Sequence, residues 1–341
     1  MRHRDQWILI EGPFKPSESL DCDEITVFFP DFYDLKSSVP LKGARTYRLS
    51  PEELRKNCEA YLAQKPPSKG PLTRSSWVEP QREHFLQALE GIQSRIQKSE
   101  IQKAVPAIFA RSSQTVTAAE RVQMVLKLLE APPTLYVYGF WQNGEGVLGA
   151  TPEVLFDYSQ GVMKTMALAG TCPKAEALER ESLLDDEKEM QEHLLVLEDL
   201  KNTLKSWGEV KTKGPEILEL PMLYHLKTEI EVHCAQKPDF LSLIEQLHPT
   251  PALGVAPRSQ GYQWMAEFPG QEGRRGFGAP FAFLGSEEAL CLVAIRNLQW
   301  NSSVSMIGSG CGIVAASEFE REWRELYQKR LSVRKILGLE V

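Results

Sequence analysis

The clearest hydrophobic pattern in the chain begins just after Trp77. In "VEPQREHFLQALEGIQSRIQ" the apolar residues Phe85, Leu89, Ile92 and Ile96 recur at intervals of three and four, which sets them on one face of a helix. A strand-like run, "KAVPAIFARS", follows. Further strands are predicted at "TLYVYGFWQ", "VLFDY", "VMKTMAL", "ALCLVAIRNLQW" and "SVSMIGSGCGIV", with "NSS" joining the last two as a hairpin. Long helices are predicted over 184–206, 238–247 and 318–336. Strands meet through short turns and helices group between them, without the regular strand–helix alternation of a doubly wound sheet. The expected class is therefore α+β, with large, mainly antiparallel sheets flanked by helices.

The stretch "AQKPPSKGPLTRSSW" (63–77) is rich in Pro, Ser and Lys and reads as a surface connection. It divides a weakly patterned N-terminal part, 1–75, from 76–341, where the signals concentrate. The first part is expected to complete the sheet and the second to form one integrated domain.

Composition narrows the function classes. The chain has 341 residues, 42% hydrophobic and 25% charged, which is ordinary for a globular protein and long enough for a full core. A net charge of -7 argues against broad attraction to nucleic acid or to an anionic membrane, though not against a small acidic ligand. The six cysteines form no C-x-x-C pair and are too dispersed for a zinc motif or a disulfide scaffold. The start, "MRHRDQWILIEGPFK", lacks an apolar signal core, and no run approaches the roughly 18 apolar residues of a membrane span. A cytoplasmic protein is expected.

Two acidic stripes suggest chemistry. In "SEFEREWRELYQK", Glu318, Glu322 and Glu325 fall at i, i+4 and i+7, with Lys329 four residues further on. In "LDDEKEMQEHLLVLEDL", Asp185, Glu189 and Glu192 repeat the spacing before the helix turns apolar. Two solvated faces would explain both. So would two half-sites facing one another across a cleft around a hard divalent cation with oxygen ligands, such as Mg2+. Periodicity leaves both readings open.

The order of "LGATPEVLF", "LAGT", "DDEKEMQEH", "LYHLKTEI", "LHPTPALGVAPR", "AIRN", "GSGCGIV" and "EREWRELYQK" resembles that of the chorismate-utilising enzymes, over roughly residues 77–337. The family includes isochorismate and salicylate synthases and the large subunits of anthranilate and aminodeoxychorismate synthases. The resemblance implies that Glu192 and Glu325 bind Mg2+, with Glu189 and Glu322 as outer ligands one turn earlier. It implies that Arg296 and Lys329 hold a substrate carboxylate, which the backbone at Gly310 and Gly312 approaches because no side chain intervenes. Gly170 and Thr171 in "LAGT" are expected at the substrate, and His225 against its ring near the departing hydroxyl. Glu153 matches a general acid, which must stay protonated near neutral pH. Lys103 is the candidate base, and the water it activates would require it as the neutral amine.

Leu168 and Ala252 match an apolar pair that accompanies water as nucleophile, and Ala169 stands where some aminodeoxychorismate synthases carry a nucleophilic lysine. The implied function is that of a Mg2+-dependent isochorismate synthase, an isomerase adding water at C2 of chorismate with loss of the C4 hydroxyl. Chorismate would be its small-molecule substrate, no amidotransferase subunit is expected, and menaquinone or siderophore synthesis would use the product. Salicylate formation, an ammonia-dependent synthase subunit and a non-catalytic chorismate-binding protein are the alternatives. Two departures from the family pattern stand out. Pro106 interrupts the strand of the base, and aligning on Arg111 would put that proline in place of Lys103. In "RRGFGAPFAFL" (274–284), Ala279 and Ala282 stand where the family has glycines, and two added methyls would either narrow the pocket or shift a backbone contact.

Overall fold

The structure, a computed structural model, describes residues 1–3, 6–17, 25–64, 77–174 and 180–339. Most of the Pro- and Ser-rich connection lies outside the described residues, as does Cys22. The described helices are α1 (Pro51–Ala63), α2 (Arg82–Gln97), α3 (Ala118–Leu128), α4 (Glu187–Leu204), α5 (Phe240–Leu247) and α6 (Phe319–Leu337). In α2 the buried face carries Phe85, Leu89 and Ile92, as its periodicity predicts. The α4 helix starts at Asp186, whose carboxylate accepts the Glu189 N–H at 3.1 Å and satisfies one orphan donor of the first turn. The α6 helix stops at Gly338, whose left-handed backbone (φ 69°) suits glycine.

Two antiparallel sheets carry the fold. The larger has nine strands in the order 208–219, 223–234, 162–173, 154–159, 288–293, 280–284, 26–28, 41–42, 15–16. The smaller has five, ordered 107–112, 305–310, 297–300, 145–151, 136–142. Every registered pairing between strands is antiparallel. From the N-terminal part, Thr26–Phe28 joins the nine-stranded sheet against Pro280–Leu284. Apolar side chains of both sheets meet in shared cores: Tyr138 and Val147 of the smaller pack with Phe281, Leu290 and Leu292 of the larger. The α4 and α5 helices bury Val196, Leu200, Leu243 and Ile244 against the nine-stranded sheet.

Two predicted strands divide, each at a residue that matters for function. "KAVPAIFARS" forms Lys103–Ala104 and Ala107–Ser112, separated at Pro106, which has no N–H to give a ladder. Lys103–Ala104 pairs instead with Val255–Ala256. "ALCLVAIRNLQW" forms Glu288–Val293 in the larger sheet and Asn297–Trp300 in the smaller, so the chain changes sheets at Arg296. Arg296 has φ 56°, a left-handed conformation that costs a non-glycine residue about 1–3 kcal/mol. The turn is braced: Asn297 Nδ2 donates to Ala294 O and to Tyr138 Oη, both at 2.7 Å, and Tyr138 Oη donates to Ile295 O at 2.8 Å. The "NSS" hairpin accordingly joins 297–300 to 305–310.

Candidate active site

Each acidic stripe loses its first member to the helix boundary. Asp185 precedes α4 and Glu318 precedes α6, and both are exposed. Glu189, Glu192, Glu322 and Glu325 remain, all buried, so the solvated-face reading fails for these four. Buried carboxylates need partners, and four cations supply them. Lys188 Nζ stands 3.0 Å from Glu189 Oε1 and 2.7 Å from Glu322 Oε1. Arg321 Nη2 reaches Glu189 at 3.0 Å and Asp186 at 2.7 Å. Lys103 Nζ lies 3.0 Å from Glu192 Oε1, and Lys329 Nζ lies 2.5 Å from Glu325 Oε1. Thr171 N–H completes Glu189 at 2.8 Å.

One cavity adjoins this cluster. Glu153, Leu168, Thr171, Glu192, His225, Ala252, Arg296, Gly310, Gly312 and Lys329 all line it, ten of the candidate residues in one space. Gly170, Glu189, Glu322 and Glu325 do not line it, nor does Lys103, which is fully buried with its Nζ directed at Glu192. Lys103, and not Pro106, therefore supplies the side chain at that carboxylate, while Arg111 is half-exposed beside Glu272. Ala279 and Ala282 are wholly buried in the core behind the cavity and line no part of it. Of the two effects expected of their methyls, narrowing of the pocket is not what the structure has: they pack among core residues, and Phe277 lines the cavity.

Two glycines are fixed by close approach. A Cβ on Gly312 would stand 2.1 Å from Glu192 Oε1 and 2.5 Å from Lys103 Cε, so any side chain would break that ion pair. Gly170 has φ 81°, and a Cβ there would meet the Glu189 carbonyl at 2.8 Å. Gly310 engages through its carbonyl, which accepts from Lys329 Nζ at 2.8 Å.

Electrostatics separate the groups. Burial pushes the Glu153 carboxyl up to about 7, against the pull of Lys103, Lys329 and Arg296. Glu192 is driven the other way: burial opposes its charge, but Lys103 and Lys188 outweigh burial and hold it below the usual carboxylate range. Glu189 is raised to about 7 by burial and by the neighbouring Glu192 charge. Burial, then Arg296 and Lys329, hold His225 well below the usual imidazole value, so it is neutral. Arg296 Nη2 lies 3.2 Å from His225 Nε2. A guanidinium only donates, so Nε2 accepts and Nδ1 carries the hydrogen, directed at Thr171 Oγ1 2.9 Å away. Nε2, the nitrogen left without a hydrogen, is thus engaged by Arg296.

The donor set fits a hard cation. Glu192 and Glu325 offer carboxylates, and the buried Glu322 has Lys188 Nζ 2.7 Å from its Oε1, with no hydrogen-bond donor on Oε2 among the described residues. Among the described residues no three His, Cys, Asp or Glu side chains stand close enough to form a metal site by themselves. Mg2+ characteristically takes one or two protein carboxylates and completes its shell with water and substrate oxygens, so this set matches its habit.

Several residues that hold the site are not evident from the motifs. Lys188 is one turn before Glu192 on the same helix face, and helical spacing alone would have disclosed it. His193 ties α4 to the sheet, with Nδ1 3.1 Å from Ala169 O and Nε2 2.8 Å from Thr228 Oγ1. Arg274 is fully buried; it donates to Val105 O at 2.9 Å and to Leu253 O at 2.6 Å, with Cζ 3.7 Å from the Phe32 ring centre. It thereby joins the backbone next to Lys103 to the backbone next to Ala252. Nothing in its neighbourhood, "GQEGRRG", marks it in the sequence.

Two sheets meeting at a cavity with paired carboxylate helices define a protein of the chorismate-utilising fold. The chain belongs to the chorismate binding enzyme family, whose match spans residues 41–338. It is 31% identical over 266 residues to isochorismate synthase MenF of Bacillus subtilis, covering 75% of this chain and 56% of that protein. It is 34% identical over 199 residues to the salicylate biosynthesis isochorismate synthase of Pseudomonas aeruginosa, covering 56% and 42% of the two. The chain thus spans about half the length of these curated relatives. In fold it is similar to MenF of Escherichia coli, with a TM-score of 0.73 at 23% identity over 92% of this chain and 78% of that one. No helix among the described residues is long and apolar enough to cross a membrane.

Proposed function

We propose that this chain is a Mg2+-dependent isochorismate synthase, an isomerase that adds water at C2 of chorismate while the C4 hydroxyl leaves. The observation that carries the reading is the single cavity in which Glu153, Glu192, His225, Arg296 and Lys329 meet beside the apolar Leu168 and Ala252. Chorismate is a dicarboxylate, and Arg296 and Lys329 are two cations at the cavity wall. The neutral His225 accepts from Arg296 and so orients it. Glu153, neutral through most of the range below pH 7, gives its proton to the departing C4 oxygen. Lys103, paired with Glu192 as an ammonium, must first give its own proton to solvent, and as the neutral amine it then takes a proton from the attacking water. Leu168 and Ala252 offer ammonia no acceptor side chain, which favours water. Glu192 and Glu325, with Glu322 behind them, would hold Mg2+, which when bound compensates the charge of the ring carboxylate.

Relatives named isochorismate synthase support the reading. The test is incubation of the purified chain with chorismate and Mg2+, with and without ammonium, and identification of products by chromatography, mass and NMR. Isochorismate is expected in both, and removal of Mg2+ by a chelator should stop its formation. Salicylate with pyruvate, an amino product requiring ammonium, or binding without conversion would each contradict the proposal.

A further inference from the structure

A second cavity of about 330 Å3 lies behind Arg296. It is formed by the end of α3, the turn between the strands 208–219 and 223–234, and the last turns of α6. Among the described residues, only Arg296 lines both cavities. Its two terminal nitrogens divide between them. Nη2 faces His225, which lines the first cavity, and Nη1 donates at 2.6 Å to Ser332 Oγ, which lines the second. The guanidinium is a shared wall with one donor committed to each side.

The second cavity has its own chemistry. Its sides are apolar, including Leu135, Leu220, Leu223, Val333 and Ile336, and among the described residues its charged rim carries Lys127 and Lys335 with Glu130, which stands 4.0 Å from Lys127. With Arg296 at the floor, three cations and one carboxylate are the charged groups of the described lining. A volume near the lower end of the range typical of small-molecule sites, roughly 300–1,000 Å3, suits a single ring. We propose that this cavity is a second binding site, for a monocyclic aromatic carboxylate, and that its occupant acts on the first cavity through Arg296. The ring fills the apolar walls while the carboxylate accepts from Nη1 in place of Ser332. Drawing the guanidinium towards the second cavity loosens its hold on His225 and on any carboxylate in the first. Coupling of this kind is reciprocal, and a factor of about 5 to 150 in affinity is typical.

The test uses the intact chain with benzoate as probe, followed by NMR or calorimetry, so it does not depend on turnover. Binding with a Kd tighter than about 10 mM is expected. Raising chorismate should weaken benzoate binding to a plateau, within the same factor of about 5 to 150, because both ligands bind at once. Ile336→Trp fills the cavity and should abolish benzoate binding, and Lys335→Glu, on an exposed side chain, should weaken it at least threefold. Both variants should still bind chorismate as the parent does. Failure of benzoate to bind, displacement that grows without limit as chorismate rises, or retention of full benzoate affinity in both variants would overturn the proposal. Should the chain bind benzoate as expected yet convert no chorismate, only the isochorismate synthase reading fails.

Discussion

Glu153 and Glu192 line the same cavity, and their surroundings drive them in opposite directions. Glu153 sits where burial dominates and the nearby cations only moderate it, so it rises to about 7. Glu192 is equally enclosed, but Lys103 stands 3.0 Å from it and Lys188 adds a second charge, so it is held down as a carboxylate. The difference lies in the partner and not in the depth of burial. It is also what acid catalysis beside a cation site requires: one carboxyl that keeps its proton and one that gives it up.

Removing the partner should break the contrast most severely. Lys103→Ala leaves Glu192 buried beside a lost cation and is expected to cost about 3–5 kcal/mol of stability, read by denaturant unfolding. The same substitution should lower kcat by about 10²–10⁴ if the lysine takes the water's proton. Glu153→Gln separates activity from stability. It should lower kcat by a similar factor of about 10²–10⁴, yet stabilise the fold at pH 8. A carboxyl raised from 4.5 to about 7 binds an extra proton in the folded state between those values. Stability therefore falls as pH rises through that window, by on the order of 3 kcal/mol once above it. Glutamine carries no such penalty, so the gain should be present at pH 8 and absent at pH 4, by thermal unfolding at the two values.

The parent's pH–rate profile sharpens the same point: kcat/KM should decline above about pH 7 as Glu153 ionises in the free protein, and Glu153→Gln should lose that limb. Arg274→Met tests a smaller effect. It frees the Val105 and Leu253 carbonyls, and a loss of about 1–3 kcal/mol is expected for leaving them unpaired, with KM rising more than kcat falls.

The class of fold and most of the cavity were legible in the chain, for reasons that particular residues show. Helices with one apolar face, such as α2, declare themselves by spacing. The edge hairpin 208–219 and 223–234 went unpredicted because its outer strand, "GEVKTKGPEILE", is mostly exposed and carries charge that hides the alternation. The strand that splits at Arg296 reads as one run, since nothing local reveals that Tyr138 and Asn297 will brace a left-handed residue there. The acidic stripes marked the right helix faces, and Glu192 reaches the cavity. That Lys103 pairs with Glu192 was less visible, because it arrives from a strand remote in sequence.

The contrast between the two carboxyls is open to direct observation. In protein labelled with 13C at the glutamate side-chain carboxyl, resonances can be followed from pH 4 to pH 9 and assigned with Glu153→Gln, Glu189→Gln and Glu192→Gln. A Glu153 signal with its midpoint near 7 is expected, and a Glu192 signal that stays in the ionised position down to below 4.5. A Glu153 signal already ionised at pH 5, or a Glu192 signal that titrates alongside it, would contradict the division of roles on which the account rests.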